Sequence, residues 1–157
     1  MDSMLVRWLF AAVHLLGLGV GLGAVWARGR ALSGRLDDAG LRRAFYADTW
    51  WGIAALIWIS TGLVRAFGGL EKGSAYYLHN HLFWTKMGLL GLILALELGP
   101  MISLVRWRVA LARGETPDTR AAVRFARISF LQGVLVVLMV LAATAMARGY
   151  GVPPSSP

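Results

Sequence analysis

The stretch from Tyr76 to Pro100, YYLHNHLFWTKMGLLGLILALELGP, sets the fold class. Between Leu82 and Leu98 it is almost continuously apolar. With its flanks it approaches the ~20 residues that carry an α-helix through ~30 Å of hydrocarbon. Yet Lys86 and Glu97 stand inside the run, and His79 and His81 stand at its entrance. An ionisable side chain in lipid is costly unless it meets a partner, a cavity or the headgroups, so each of these four needs a destination.

Three further apolar blocks, Leu9 to Trp26, Trp50 to Leu63 and Ile128 to Met146, have similar character. Of 157 residues 57% are hydrophobic and 15% charged, too few charges to cover a water-facing surface. The blocks do not alternate in twos, which excludes a transmembrane β-barrel. The first block is long for a signal peptide and is followed by Arg28, Arg30 and Arg35, which hold a span in place. The expected fold is all-α: an integral membrane four-helix bundle in one domain over about 1–150, with helices at about 4–27, 46–67, 80–105 and 121–147 and a flexible tail over about 151–157. Helix two is expected to begin near Asp37 or Asp38, and helix four to be capped by Thr116 with Pro117 in its first turn.

The net charge of +8 is concentrated in two linkers, Arg28 to Arg43 and Arg106 to Arg127. The other side carries Arg7, Arg65, Lys72 and Arg148. By the positive-inside rule both arginine-rich linkers are cytoplasmic and both termini outside, as for a multi-pass protein of a bacterial inner membrane. Anionic lipid headgroups are the expected partners of these arginines. No motif supports nucleic-acid binding. The absence of cysteine excludes disulfides and iron–sulfur ligation by this chain. No nucleotide loop or hydrolase elbow is present.

Within the spans His14 is the deepest candidate, roughly 15 Å below Met4 by helical rise. It shares a stripe with Gly17, Gly21 and Ala24; Gly17/Gly21 and Gly19/Gly23 are both spaced for close helix packing. A packing bond to Thr61, Thr144 or Gln132 is its bland alternative. Lys86 and Glu97 lie about 16 Å apart on one face of helix three. They mark either the two ends of a polar seam centred on His14 or two snorkelling side chains, with Glu97 reaching Arg106 or Arg108. Trp50 and Trp51 read as interface anchors. Trp58 is deeper, suited to packing or to a flat ligand, and Arg65 to a ligand carboxylate or a lipid phosphate. Asp48 reads as a helix start or a partner of Arg42 or Arg43. His79 and His81 are better read as interfacial residues than as a metal site.

The words YYLHNHLFWTK, ELGPMISLVRWR and ATAMARGYG, in that order along nearly the whole chain, resemble the bacterial predicted membrane protein family, domain of unknown function 2214. That resemblance implies the architecture and no activity. More remotely, AAVHLLGLGVGLGAVW and the lysine after LHNH are similar to the four-helix membrane protoporphyrinogen oxidase family and, more loosely, to copper-resistance D proteins. The former likeness implies haem b, with His14 and Lys86 at the positions of an important histidine and lysine. Where that family often carries a histidine eleven residues past the lysine, this chain has Glu97. His14 therefore stands as a single expected metal ligand.

Three functional classes follow. One is a redox or tetrapyrrole-handling membrane protein binding haem, porphyrin or quinone, with His14, Trp58, Arg65, Lys86 and Glu97 around the cofactor. A second is a non-enzymatic accessory or assembly subunit of a larger membrane complex. The third is a small proton-linked carrier acting as a homodimer.

Overall fold

The computed structural model describes residues 3–68 and 78–151. Lys72, Tyr76, Tyr77 and the expected tail from residue 152 lie outside the described residues. Among the described residues four long helices follow one another: α1 Ser3–Ser33, α2 Asp38–Phe67, α3 His81–Ala112 and α4 Ala122–Ala147. Each is long and apolar enough to cross a membrane. At 1.5 Å per residue the shortest, of 26 residues, is about 39 Å long, so the helix ends extend beyond a ~30 Å hydrocarbon layer.

Local chemistry explains the helix ends. Asp37 caps α2 by accepting the Gly40 N–H at 2.9 Å. Asn80 caps α3 by accepting the Leu82 N–H at 2.9 Å, while its amide donates to the Tyr150 carbonyl at 3.0 Å. His81 N–H adds a bond to the Gly151 carbonyl. Gly151 has φ +82°, and a β-carbon there would collide with Asn80 and Leu82, so glycine is required where the start of α3 docks on the turn after α4. Thr116 does not cap α4, which begins at Ala122. Asp118 instead binds both the backbone and the guanidinium of Arg120, and this local turn delays the helix.

Around the bundle the order is α2, α1, α4, α3: α1 packs along α2 and α4, α4 along α3, and α2 touches α3 sparingly. Of the two glycine pairs in α1, Gly17 and Gly21 face α2, where added β-carbons would meet Ile57, Ala54 and Trp51. Gly19 and Gly23 face open space. Close approach of backbones, the main source of helix association in lipid, is thus assigned to one pair. The middle of the bundle is filled by Val25, Trp51, Trp58, Ile93, Val136 and Met139. A second apolar layer, including Leu32, Leu41, Leu104, Trp107 and Phe125, lies at the arginine-rich end. Trp51 is buried and only Trp50 is exposed, so the expected pair of anchors is split. Adjacent helical residues diverge by ~100°, which turns one indole inward and one outward.

Gly29 offers a test of this packing, because a β-carbon there would lie 2.8 Å from the Phe130 ring. Gly29→Ala is expected to destabilise the bundle by about 1–3 kcal/mol through overpacking. Gly19→Ala, in open space, should be neutral or slightly stabilising as a helical substitution. Thermal denaturation of both variants in detergent checks the ordering, and equal melting temperatures would reject the assigned α1 register.

Candidate functional site

The chain places its membrane polar groups in two stations. Along α1, Arg28 lies fourteen residues beyond His14, or about 21 Å of helical rise, and projects from nearly the same side.

The first station centres on Arg28, which is 0% exposed. A guanidinium has five N–H groups, and every one is used. Nε donates to Ser129 Oγ at 3.0 Å. One terminal nitrogen donates to Asp48 at 2.9 Å and Glu97 at 2.6 Å. The other donates to the second Glu97 oxygen and to the Gln132 carbonyl, both at 2.8 Å. Glu97 Oε2 also accepts from Trp51 Nε1 at 3.0 Å and Gln132 Nε2 at 2.8 Å. Asp48 spans from Arg28 to Arg108, whose Nη2 lies 2.8 Å from Asp48 Oδ2 and also donates to the Phe45 carbonyl. Two cations face two carboxylates, so the station is charge-balanced. Through it α1 is joined to α2, α3 and α4 at once.

Several expectations change here. Arg28 is not a linker residue meeting lipid headgroups, because α1 continues through it to Ser33. Glu97 does not snorkel to Arg106 or Arg108; it forms a two-point pair with Arg28. Asp48 pairs with Arg28 and Arg108, not with Arg42 or Arg43. Bidentate guanidinium–carboxylate geometry is short and strong in a low-dielectric site, which explains the preference. Gln132 and Ser129, three apart on α4, complete the station without any sequence motif that assigns them to it. Their spacing, with one polar residue in each of the other helices at similar depth, is the signal the sequence carries.

The second station is a cavity of about 440 Å³ at the end of the bundle that carries the first and last helical residues. His14, Trp58, Arg65 and Lys86 all line it, whereas Glu97 does not. His14 and Lys86 therefore share one end of the polar seam, and Glu97 holds the other. His14 Nδ1 lies 3.0 Å from Thr61 Oγ1. The Thr61 hydroxyl donates at 2.6 Å to the Ile57 carbonyl, so it accepts from His14 Nδ1–H. In the neutral imidazole this arrangement puts the proton on Nδ1 and leaves Nε2 with its lone pair. Gly62 lets the ring approach α2, since a β-carbon there would sit 3.1 Å from His14 Cε1. Trp58 stands beside it with ring centroids 6.2 Å apart.

Lys86, half-buried on α3, makes no hydrogen bond or ion pair with the described residues. Apart from His14, Arg65, Lys86 and Thr144, the wall is apolar or small, with Met87, Met139 and Met146 on the α3 and α4 sides. Among the described residues that line it none is acidic. His79 and His81 are exposed at the start of α3 and do not line the cavity. Among the described residues no three histidines, aspartates or glutamates gather as a metal site would require.

Spans of this kind, tied through a buried polar cluster, define a polytopic helical membrane protein. The chain belongs to the predicted membrane protein family DUF2214, a domain of unknown function, whose model matches residues 6–151. Comparison with curated proteins and with solved structures gave no significant match.

Removing Arg28 alone leaves Glu97 without its cation. Arg28→Met is expected to cost about 3–5 kcal/mol. The double variant Arg28→Met/Glu97→Gln keeps the Asp48–Arg108 pair and should recover a large part of that loss. A double-mutant cycle read by denaturant unfolding in detergent measures the coupling, and additive losses would show that the two side chains do not act as a unit.

Proposed function

We propose that this chain is a multi-pass protein of a bacterial inner membrane, with its arginine-rich end cytoplasmic, that binds a flat, largely apolar molecule bearing acidic groups. The tetrapyrrole dicarboxylates are the class that suits it best. One observation carries the reading: Lys86 lines a largely apolar cavity beside Arg65 and makes no hydrogen bond or ion pair with the described residues, and none of the described lining residues is acidic. A cation in such a wall is expensive, and Lys86 marks a site where a ligand supplies the anion. Lys86 lies about 8 Å of rise inside the start of α3. Acidic groups would therefore meet the cations near the mouth while the apolar body extends toward His14 and Trp58. A neutral quinone gives Lys86 no such partner.

Haem fits the residues present. His14 has one nitrogen held by Thr61 and the other carrying a lone pair, the arrangement by which a second residue orients a metal-binding imidazole. His14 would hold the iron, and Arg65 and Lys86 the propionates. When bound, the group would supply one-electron redox chemistry. The residues of the chain would orient the macrocycle and neutralise its acids, and the apolar wall would exclude water. The carrier reading has less support, because Trp51, Ile93, Val136 and Met139 form an apolar layer in the middle of the bundle, whereas a proton-linked carrier needs a continuous polar track.

The test is the oxidised and dithionite-reduced absorption spectrum of protein purified in mild detergent, with extracted pigments identified by mass spectrometry. Wild type should retain a tetrapyrrole near one per chain. His14→Ala should reduce retention several-fold, whereas His81→Ala should leave it near wild type. Lys86→Gln should weaken retention of the dicarboxylate without affecting its methyl ester. Wild type that neither retains nor takes up a tetrapyrrole, or equal retention by both histidine variants, would overturn the reading.

A further inference from the structure

The arginine-rich end carries a second, separate feature. Between α1 and the start of α2 runs an open groove of about 1170 Å³. At one end Arg30 from α1 and Arg42 and Arg43 from α2 line it. From Arg30 the floor continues along α1 through Ala27 and Gly23 to Val20, about 15 Å of rise toward the centre of the bundle. The floor is shallow because these residues are small, and Gly23 faces open space. Tyr46 and Trp50 form the opposite wall, both exposed, with rings 6.2 Å apart.

What sets this groove apart at the arginine-rich end is that unmatched charge meets an apolar, aromatic-walled track. Arg120 is neutralised by Asp118 at 2.6 Å, and that contact brings the exposed Asp118 carboxyl down to about 2. Arg28 and Arg108 are matched by Glu97 and Asp48. Arg30, Arg42 and Arg43 form no ion pair or hydrogen bond with the described residues. The nearby acids are Asp37 and Asp38, and the Asp37 carboxyl is held below the usual range first by the Gly40 N–H and then by Arg35 and Arg43. Three unmatched guanidiniums at the head of an apolar, aromatic-walled track have the layout of a phospholipid: phosphate at the helix ends and acyl chain along the groove.

We infer that the α1–α2 groove is a specific site for an anionic phospholipid with two phosphodiester groups, its phosphates on Arg30, Arg42 and Arg43 and one acyl chain along Ala27, Gly23 and Val20. Two phosphates balance the three guanidiniums better than one, and the arginines reach the headgroup from both walls. The site is independent of the His14 cavity, with which it shares no lining residue.

The experiment is native mass spectrometry of the full chain in detergent, titrated with a four-chain two-phosphate lipid, with phosphatidylglycerol and with phosphatidylcholine. The two-phosphate lipid should be retained at one per chain, more tightly than phosphatidylglycerol and at least tenfold more tightly than phosphatidylcholine. Arg30→Gln/Arg42→Gln should lower its retention tenfold or more. Gly23→Leu, which adds its side chain in open space, should lower retention with all three arginines intact. Lys86→Gln should leave it unchanged. Equal retention of the zwitterionic lipid, or wild-type retention in both groove variants, would overturn the site. Equal retention of the two anionic lipids would overturn the assignment of two phosphates.

Discussion

A guanidinium buried inside a membrane bundle is the constraint on which the remaining structure depends. In lipid the helices gain little from hiding apolar surface from one another, so association relies on close packing and on polar groups that need partners. Arg28 needs five acceptors at once, and it finds them on Asp48, Glu97, Gln132 and Ser129. Those residues belong to α2, α3 and α4. Satisfying one side chain therefore fixes the rotation of each neighbour. The diagonal α1–α3 relation is made by the Arg28–Glu97 pair, although these helices do not pack directly.

The orientation of much else follows. Turning Asp48 toward Arg28 also turns Trp51 inward, where its indole N–H completes the Glu97 carboxylate. It leaves Trp50 and Tyr46 outward, along the groove at the arginine-rich end. Bringing α1 close enough for Arg28 to reach Asp48 places Gly17 and Gly21 against α2. Nearer the N-terminus, the same face of α1 presents His14 to Thr61. The two polar stations are thus consequences of one helix rotation, separated by the apolar layer around Ile93, Val136 and Met139.

The spans were legible because continuous apolar runs of this length match the thickness of hydrocarbon, and a water-soluble chain of this size would interrupt them with charge. The start of α2 near Asp37 or Asp38 was legible because an aspartate ahead of a helical run can accept its free N–H groups, and Asp37 does so from Gly40. Partner choice was not. Arg28 sits among arginines that read collectively as a basic linker, and nothing in one sequence separates the inward-facing member of such a set from the outward-facing ones. Glu97 near Gly99 and Pro100 has the position of a snorkelling residue, yet a cation one helix diagonal away decides its direction. The Thr116–Pro117 signal failed for a local reason: Asp118 found Arg120 two residues on and formed a different turn. For His14 the sequence offered Thr61, Thr144 and Gln132 as packing partners, and the close approach of α1 to α2 selects Thr61. Whether a cavity would open beside them depends on four helices at once.

Arg28 and Lys86 meet the same cost by opposite means, and the contrast is what separates scaffold from site. Both are basic residues on helices that cross the membrane. Arg28 is completely surrounded by protein acceptors and two carboxylates share its neighbourhood, so a ligand could add nothing to it. Lys86 faces a cavity it shares with Arg65, and none of the described lining residues is acidic. If lowering the cost of burial were the sole demand on Lys86, an acid on α2 or α4 would meet it as Glu97 meets it for Arg28. Among the described residues the acid of α3 lies at its other end, on Arg28, and Lys86 has no partner of its own, which is the electrostatic ground of the proposed anion site.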